Sequence, residues 1–504
     1  MPQRLHDYVR KAAAAAPGRV AILAEDGRAL SWGEMWLAVT EARACLEEAG
    51  VRPGDRVVLV LENCPEIAAF FFAATMMEAA AVAVNARMTE AELARIIAHA
   101  DPAAVVFSTS VPGPAEAHAT ALQAGEVRGS FGRVHLAPRA GSLPDVPQRR
   151  AEDQVALLLY TSGTTGTPKA AMLTHANLMA AARASAELRG MQSGDMTYLA
   201  LPLSHIFGLV TLCAVCFAQG SIRLEARFSA ERLHAALMRD VTLLPAVPQM
   251  HAHLFHYARA QGMPRYDGGL LRYVSSGGAP LDPAWKREAE AFYGLPLQNG
   301  YGLTETAAGV CATRSAIGDG DVSVGLPMRG SELALDFDAA GADPAQGIGE
   351  VLVRGPQVMK GYFRDPGQSA AVLDADGSFH TGDLGRFDDR GRLHIVGRSK
   401  ELIIRSGFNV YPAEVEAALT EHPAVIVAGV VGRRVAGNEE VLAFVKAAPR
   451  SGLTEAALRA HLEARLAPYK RPAHIVIADD LPAAPTGKIL KSKLISHFSD
   501  LLPD

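Results

Sequence analysis

Apolar positions recur every three or four residues through "WGEMWLAVTEARACLEEAG" (32–50), then close up into the short run "DRVVLVLE" (55–62). The change of period from helical to extended repeats at "AELARIIAHA" (91–100) and "AAVVFS" (103–108). Such alternation of amphipathic helices with continuous apolar strands predicts an α/β fold around parallel strands. The most apolar run, "IAAFFFAATMMEAAAVAV" (67–84), is interrupted by Glu78 and lacks interfacial anchors, so it predicts a buried helix leading into a strand and no membrane span. A polar stretch rich in Pro, Gly and Ser (110–153) is expected to connect to "VALLLY" (155–160), a buried strand.

A second βα series follows, in which "LRYVSSGGAP" (271–280) and "LQNGYGLTE" (297–305) each predict a strand ending in glycines. Between 333 and 397 the texture changes to short strands with close turns, as in "GEVLVRG" and "GRFDDRGRLHIVG". Beyond it a smaller α/β unit is expected, with helices at "AEVEAALTEH" and "EAALRAHLEARL" and strands at "VIVAGVVG" and "VLAFVKA". The expected architecture is therefore a large N-terminal domain, residues 1–399, of α/β subdomains plus a short-stranded β region. A small C-terminal α/β domain, residues 400–504, follows it.

Composition narrows the class. The 504 residues are 49% hydrophobic, and 49 Lys plus Arg nearly balance 54 Asp plus Glu. No basic field calls for nucleic acid. Five scattered cysteines do not make a disulfide framework, and the N-terminus lacks the apolar core and cleavage site of a secretory signal, which together predict a cytoplasmic protein.

Candidate chemistry begins at "YTSGTTGTPKAAMLTH" (160–175). Its small residues allow close backbone approach, Thr161, Ser162, Thr164 and Thr165 offer hydroxyls, and Lys169 supplies charge, a combination suited to polyphosphate. It is not a Walker sequence, since Pro168 precedes the lysine. "CAVC" (213–216) lies in an apolar run with no second pair, so it reads as buried helix and not as a zinc site. His251, His253 and His256 in "MHAHLFH" share no single helical face, which favours a helix beside the substrate channel over a metal site.

Further along stand "LPLSHIFGL" (201–209), "SSGGAP" (275–280), "NGYGLTET" (299–306), "HTGDLGRFDDRGRLHIVGR" (380–398), "KELIIRSGFNVYPAEVE" (400–416) and "PTGKILK" (485–491). With these motifs in this order, the chain resembles the adenylate-forming enzymes, the superfamily of acyl-CoA synthetases, peptide-synthetase adenylation domains and beetle luciferases, and is most like the acyl-CoA synthetases. The resemblance implies an ATP-dependent, AMP-forming acid–CoA ligase: a carboxylate joins the α-phosphate of ATP, pyrophosphate leaves, and the acyl group passes to CoA. Delivery to a carrier protein or an amine is the alternative.

The resemblance also implies roles. Thr161, Ser162, Gly163, Thr164, Thr165 and Lys169 would hold the β- and γ-phosphates, with Thr304 on phosphate and Glu305 on Mg²⁺. Asp383 would take the ribose hydroxyls, assisted by Arg398 with Ile395 packed nearby, and Gly278, Ala279, Pro280, Asn299 and Tyr301 would frame the adenine. Lys488 would bridge carboxylate and α-phosphate, and His205 would sit at the carboxylate end of the acyl pocket. That pocket is expected from Phe207, Gly208, Met250, Gly277, Gly302, Leu303, Ala307, Ala308 and Val310. Being mostly small and apolar, they predict a hydrophobic monocarboxylic acid, aromatic or of medium to long chain. Lys400 would be the hinge about which the small domain rotates, bringing Gly407 to line a pantetheine tunnel. The Pro-x4-Gly-Lys context "PAAPTGK" (482–488) resembles that in which a protein acetyltransferase silences the lysine of bacterial relatives. Three positions depart from the family pattern: Ala170 and Glu78 stand where glycine is usual, and Ala83 where proline is.

Overall fold

The computed structural model describes residues 4–503 apart from 149, 162–168, 279–280, 406–407, 436–437, 449 and 484–488. Two large sheets form the N-terminal domain. The seven-stranded sheet has a parallel centre, Ala104–Phe107, Arg56–Leu61, Ala80–Asn85 and Val155–Thr161, with antiparallel strands at both edges. Its central strands are apolar on both faces because each divides its residues between two cores. Val57, Leu59 and Leu61 enter the main core between the sheets, whereas Val58 and Val60 pack on the outer side with Ile96, Ile97 and Phe107.

The nine-stranded sheet runs parallel through Leu297–Tyr301, Tyr273–Gly277, Leu243–Ala246, Met196–Leu199, Ser221–Leu224 and Val20–Ala24. Helices Pro65–Met76 and Ile206–Ala218 are buried nearly all round, as their uniform apolarity requires. Cys213 and Cys216 lie wholly within the second of these, and burial pushes the Cys213 thiol up to about 12, the opposite of what a zinc ligand needs. Among the described residues no helix is long and apolar enough to cross a membrane. The left-handed φ of +59° at Glu78 accompanies an ion pair to Arg4 at 3.0 Å.

One expectation is corrected. The 110–153 stretch is more than a connector: it contains the helix Pro114–Ala121 and a hairpin, Gly125–Gly129 with Gly132–Pro138, which closes the edge of the seven-stranded sheet. Apolar residues are sparse in this hairpin because it reaches the cores through few side chains, Val127, Val134 and Leu136 on one face and Ala137 on the other.

Strands Glu332–Asp336, Gly349–Arg354, Phe379–Phe387 and Leu393–Arg398 form an antiparallel sheet. After it comes the smaller C-terminal domain, in which Val425–Val435, Asn438–Ala447 and His474–Ala478 carry the helices Pro412–Thr420 and Glu455–Glu463 around a separate core. It meets the large domain through a small apolar patch in which Tyr411 and Leu402 pack with Ile348, Leu384 and Val396.

Candidate active site

The expected site residues gather where parallel strands end. Thr161 closes Val155–Thr161, Met250 follows Leu243–Ala246, Gly278 follows Tyr273–Gly277, and Tyr301 closes Leu297–Tyr301. The carboxyl ends of adjacent parallel strands leave a crevice that helices do not fill, the usual ligand position in open α/β sheets.

On one side of this crevice Asp383 is buried at 3% exposure. It sits opposite Arg398 in the register of the two strands, accepts from Arg398 Nε at 2.9 Å, and accepts from the Tyr301 hydroxyl at 2.6 Å. Its backbone N–H donates to Thr381 Oγ1 at 3.0 Å. Burial, then Asp383, pushes the Tyr301 phenol well above its usual range, so it stays a donor. Burial opposes the charge on Arg398, yet Asp383, Glu401, Tyr301 and Glu305 together hold its guanidinium above the ordinary arginine value. Ile395 and Tyr301 are both partly buried against the small core of Val310, Cys311, Val351, Val353 and Leu393. Asn299 is buried and turned inward: its Nδ2 donates to the Ser323 carbonyl at 3.0 Å, and its Oδ1 accepts from Gly300 N–H at 3.0 Å.

Glu305 lies in the single turn Thr304–Thr306, half-buried. Its Oε1 accepts from the Tyr362 hydroxyl at 2.9 Å, and among the described residues Oε2 has no hydrogen bond. A half-buried carboxylate oxygen, with the Thr304 hydroxyl in the same turn, is a donor set that fits a hard cation such as Mg²⁺. Lys169 begins the strand paired with Thr161, and its ammonium stands 5.6 Å from the centre of the Tyr362 ring while donating to Gln368 Oε1 at 2.5 Å. Tyr362 and Gln368 belong to "KGYFRDPGQS" (360–369), which the sequence reading passed over; a tyrosine and a run of turn residues between two β-rich segments were the only local signal.

The expected acyl pocket divides. Phe207 and Gly277 meet, since a Cβ built on Gly277 would lie 3.4 Å from the Phe207 ring, and Val247, outside the expected set, lies 3.9 Å from a Cβ built on Gly278. His205 is exposed and caps Ile206–Ala218, its Nδ1 accepting from Phe207 N–H at 3.4 Å. His251 is a core residue, bonded through Nδ1 to the Tyr293 hydroxyl at 2.7 Å and through Nε2 to the Ser275 carbonyl at 3.3 Å, while His253 and His256 are exposed. Gly208 and Gly302 owe their missing side chains to backbone packing. A Cβ at Gly208 would meet the Pro202 carbonyl oxygen at 2.3 Å, and one at Gly302 would meet that of Ala308 at 1.2 Å. Leu303, Ala307 and Ala308 form the turn around Glu305, with φ of +46° at Ala307 and +79° at Ala308. Val310, whose N–H donates to the Tyr301 carbonyl at 2.8 Å, is fully buried with Cys311, Val351, Val353 and Leu393 in the core beneath the antiparallel sheet. Lys400 is exposed in the turn Ser399–Glu401 between the two domains' strands. Ser162, Gly163, Thr164, Thr165, Ala279, Pro280, Gly407 and Lys488 lie outside the described residues.

Known proteins resemble the whole chain. It is 34% identical over 501 residues to 2-succinylbenzoate–CoA ligase of Geobacillus kaustophilus, covering 97% of both chains. It is 35% identical over 477 residues to feruloyl-CoA synthase of an Amycolatopsis species, covering 94% of both. It is 33% identical over 499 residues to sulfoacetate–CoA ligase of Cupriavidus necator, covering 96% of both. Among solved structures, ATP-bound MatB from Rhodopseudomonas palustris superposes with a TM-score of 0.85 at 30% identity, covering 99% of this chain and 100% of the other. The Bacillus subtilis o-succinylbenzoate CoA synthetase, in complex with its acyl-adenylate intermediate, gives 0.83 at 29% identity, covering 98% of both chains. The amide bond synthetase McbA from Marinactinospora thermotolerans also gives 0.83 at 29% identity, covering 98% of this chain and 99% of that one. Residues 9–363 match the family model for AMP-binding enzymes and residues 414–488 the model for their C-terminal domain, so the chain belongs to the AMP-binding, adenylate-forming enzyme family.

Proposed function

We propose that this enzyme is an AMP-forming acid–CoA ligase that uses ATP, Mg²⁺ and CoA and acts on a hydrophobic monocarboxylic acid, aromatic or of medium to long chain. The observation that carries the reading is the convergence of Lys169, Glu305 and the Asp383–Arg398 pair around Tyr301 and Tyr362. An ammonium for polyphosphate, a carboxylate for a hard cation and a buried acceptor for ribose are the groups needed to bind ATP with pyrophosphate as the leaving group. In this reading Thr304 and the 161–169 loop hold phosphate, and Gly278, Ala279, Pro280, Asn299, Tyr301 and Ile395 line the nucleotide site. Bound Mg²⁺ would neutralise charge developing on the departing pyrophosphate. Phe207, Met250 and Gly277 support an apolar acid, with His205 near its carboxylate.

Lys488 would stabilise the adenylation transition state and must withdraw before a thiol enters. Lys400 would then serve as the hinge between residues 1–399 and the mobile small domain, and Gly407 would admit pantetheine. The small apolar patch at Tyr411 is consistent with a domain that can part from its neighbour. The free cysteines suit a cytoplasmic setting.

A panel of carboxylic acids with ATP, Mg²⁺ and CoA, scored for AMP, pyrophosphate and thioester, tests the reading. AMP and thioester from aryl or longer alkyl acids are expected. ADP instead of AMP, or no acid-dependent pyrophosphate, would overturn it. The second reading, delivery to an amine or carrier protein, is favoured by the likeness to an amide bond synthetase and requires acyl-AMP consumption without CoA. Lys488→Ala should abolish acyl-AMP formation while largely sparing thioester formation from supplied acyl-AMP. If an acetyltransferase acts at Lys488, the acetylated protein should lose adenylation; full activity with Lys488 acetylated refutes that regulation.

A further inference from the structure

Lys169 and Glu305 carry opposite charges and both face one aromatic ring, yet neither takes the other as its partner. Tyr362 stands at this junction. Its hydroxyl donates to Glu305 Oε1 at 2.9 Å and its ring lies beneath the Lys169 ammonium.

The tyrosine is itself held from several sides. It is 7% exposed, and its N–H donates to Ser369 Oγ at 2.8 Å. Its neighbours run beside the strand Lys169–Thr174: Lys360 N–H donates to the Met172 carbonyl, Met172 N–H to that of Gly361, and Phe363 N–H to that of Ala170. Met359 N–H donates to the backbone carbonyl of Glu305 itself at 2.8 Å. The 359–363 segment thus grips both the phosphate-side strand and the carboxylate turn.

Building on the function proposed above, we propose that Tyr362 is a positioning residue: its hydroxyl ties up one carboxylate oxygen, so that Glu305 offers a single oxygen to the cation of Mg·ATP. A one-oxygen carboxylate suits the compact octahedral shell of Mg²⁺, whereas Ca²⁺ accepts both oxygens of one carboxylate.

The test is calorimetric binding of ATP alone, Mg·ATP and Ca·ATP to the full-length protein and to Tyr362→Phe, which preserves the ring and its packing. A hydrogen bond to a charged group is lost, so Mg·ATP should bind about tenfold more weakly, with ATP alone unchanged and the preference for Mg²⁺ over Ca²⁺ reduced. Gln368→Leu disturbs only the other partner of Lys169 and should leave the metal preference as in the parent. If Tyr362→Phe binds all three as the parent does, or weakens them equally, the inference is wrong. A parent protein that binds no Mg·ATP would overturn the function as well, whereas normal parental binding with an unmoved variant overturns this inference alone.

Discussion

Replacing Gly302 with Ala separates two accounts of why a glycine follows Tyr301. As a pocket-lining residue, it would tolerate the added methyl with short acids and lose only bulky ones. The backbone gives a different answer, because the new Cβ would stand 1.2 Å from the Ala308 carbonyl oxygen and 2.3 Å from its carbon. An ordinary C···O contact is about 3.3 Å or longer, so the 302–309 turn must open by about 2 Å. Three backbone bonds resist: Ala308 N–H to the Leu303 carbonyl at 3.0 Å, Ala307 N–H to that of Thr304 at 3.1 Å, and Val310 N–H to that of Tyr301 at 2.8 Å. At about 1 kcal/mol each, their loss costs roughly 2–4 kcal/mol. Glu305 and Thr304 ride on that turn, and a misplacement of about 1 Å lowers rates by about 100-fold. Acid-dependent ATP–pyrophosphate exchange should therefore fall by at least that factor with every acid, short or long. A variant that adenylates short acids normally and rejects only longer ones would refute the packing argument.

Other substitutions probe neighbouring elements. Tyr301→Phe removes the 2.6 Å bond to Asp383; exchange kinetics should show KM for ATP raised about tenfold with kcat changed far less. Ala308→Gly relieves the left-handed φ of +79° and should add about 0.5–1 kcal/mol to unfolding free energy in urea. Burial lowers His251 from 6.5 to about 4, so as pH falls the unfolded chain takes up this proton first. The stability is present above pH 6.5, declines as pH falls, and is lost by about pH 4. Two and a half units correspond to about 3 kcal/mol, and urea melts at pH 7 and 4.5 should show a decline smaller by about that amount in His251→Gln.

Much of the fold is legible locally. "RVVLVL" is apolar at every position because its two faces meet two different cores, and "CAVC" sits in a helix apolar all round. The hairpin at 125–138 escaped notice because an edge strand buries few side chains and so leaves little periodicity. Candidates for a nucleotide site could be nominated from ordered motifs, but their partners could not. Nothing near Tyr362 announces that its hydroxyl meets Glu305, 57 residues earlier in the chain.

By itself, then, the sequence determined the α/β class and the family, since period and motif are local properties of a chain. Only the tertiary structure decided which of those residues meet. It set Gly208 and Gly302 against neighbouring backbone, buried Val310 beneath the antiparallel sheet, and brought Tyr362 between Lys169 and Glu305. The physical reason is that a side chain's type is written at one position, whereas its environment depends on segments the fold brings together from far apart.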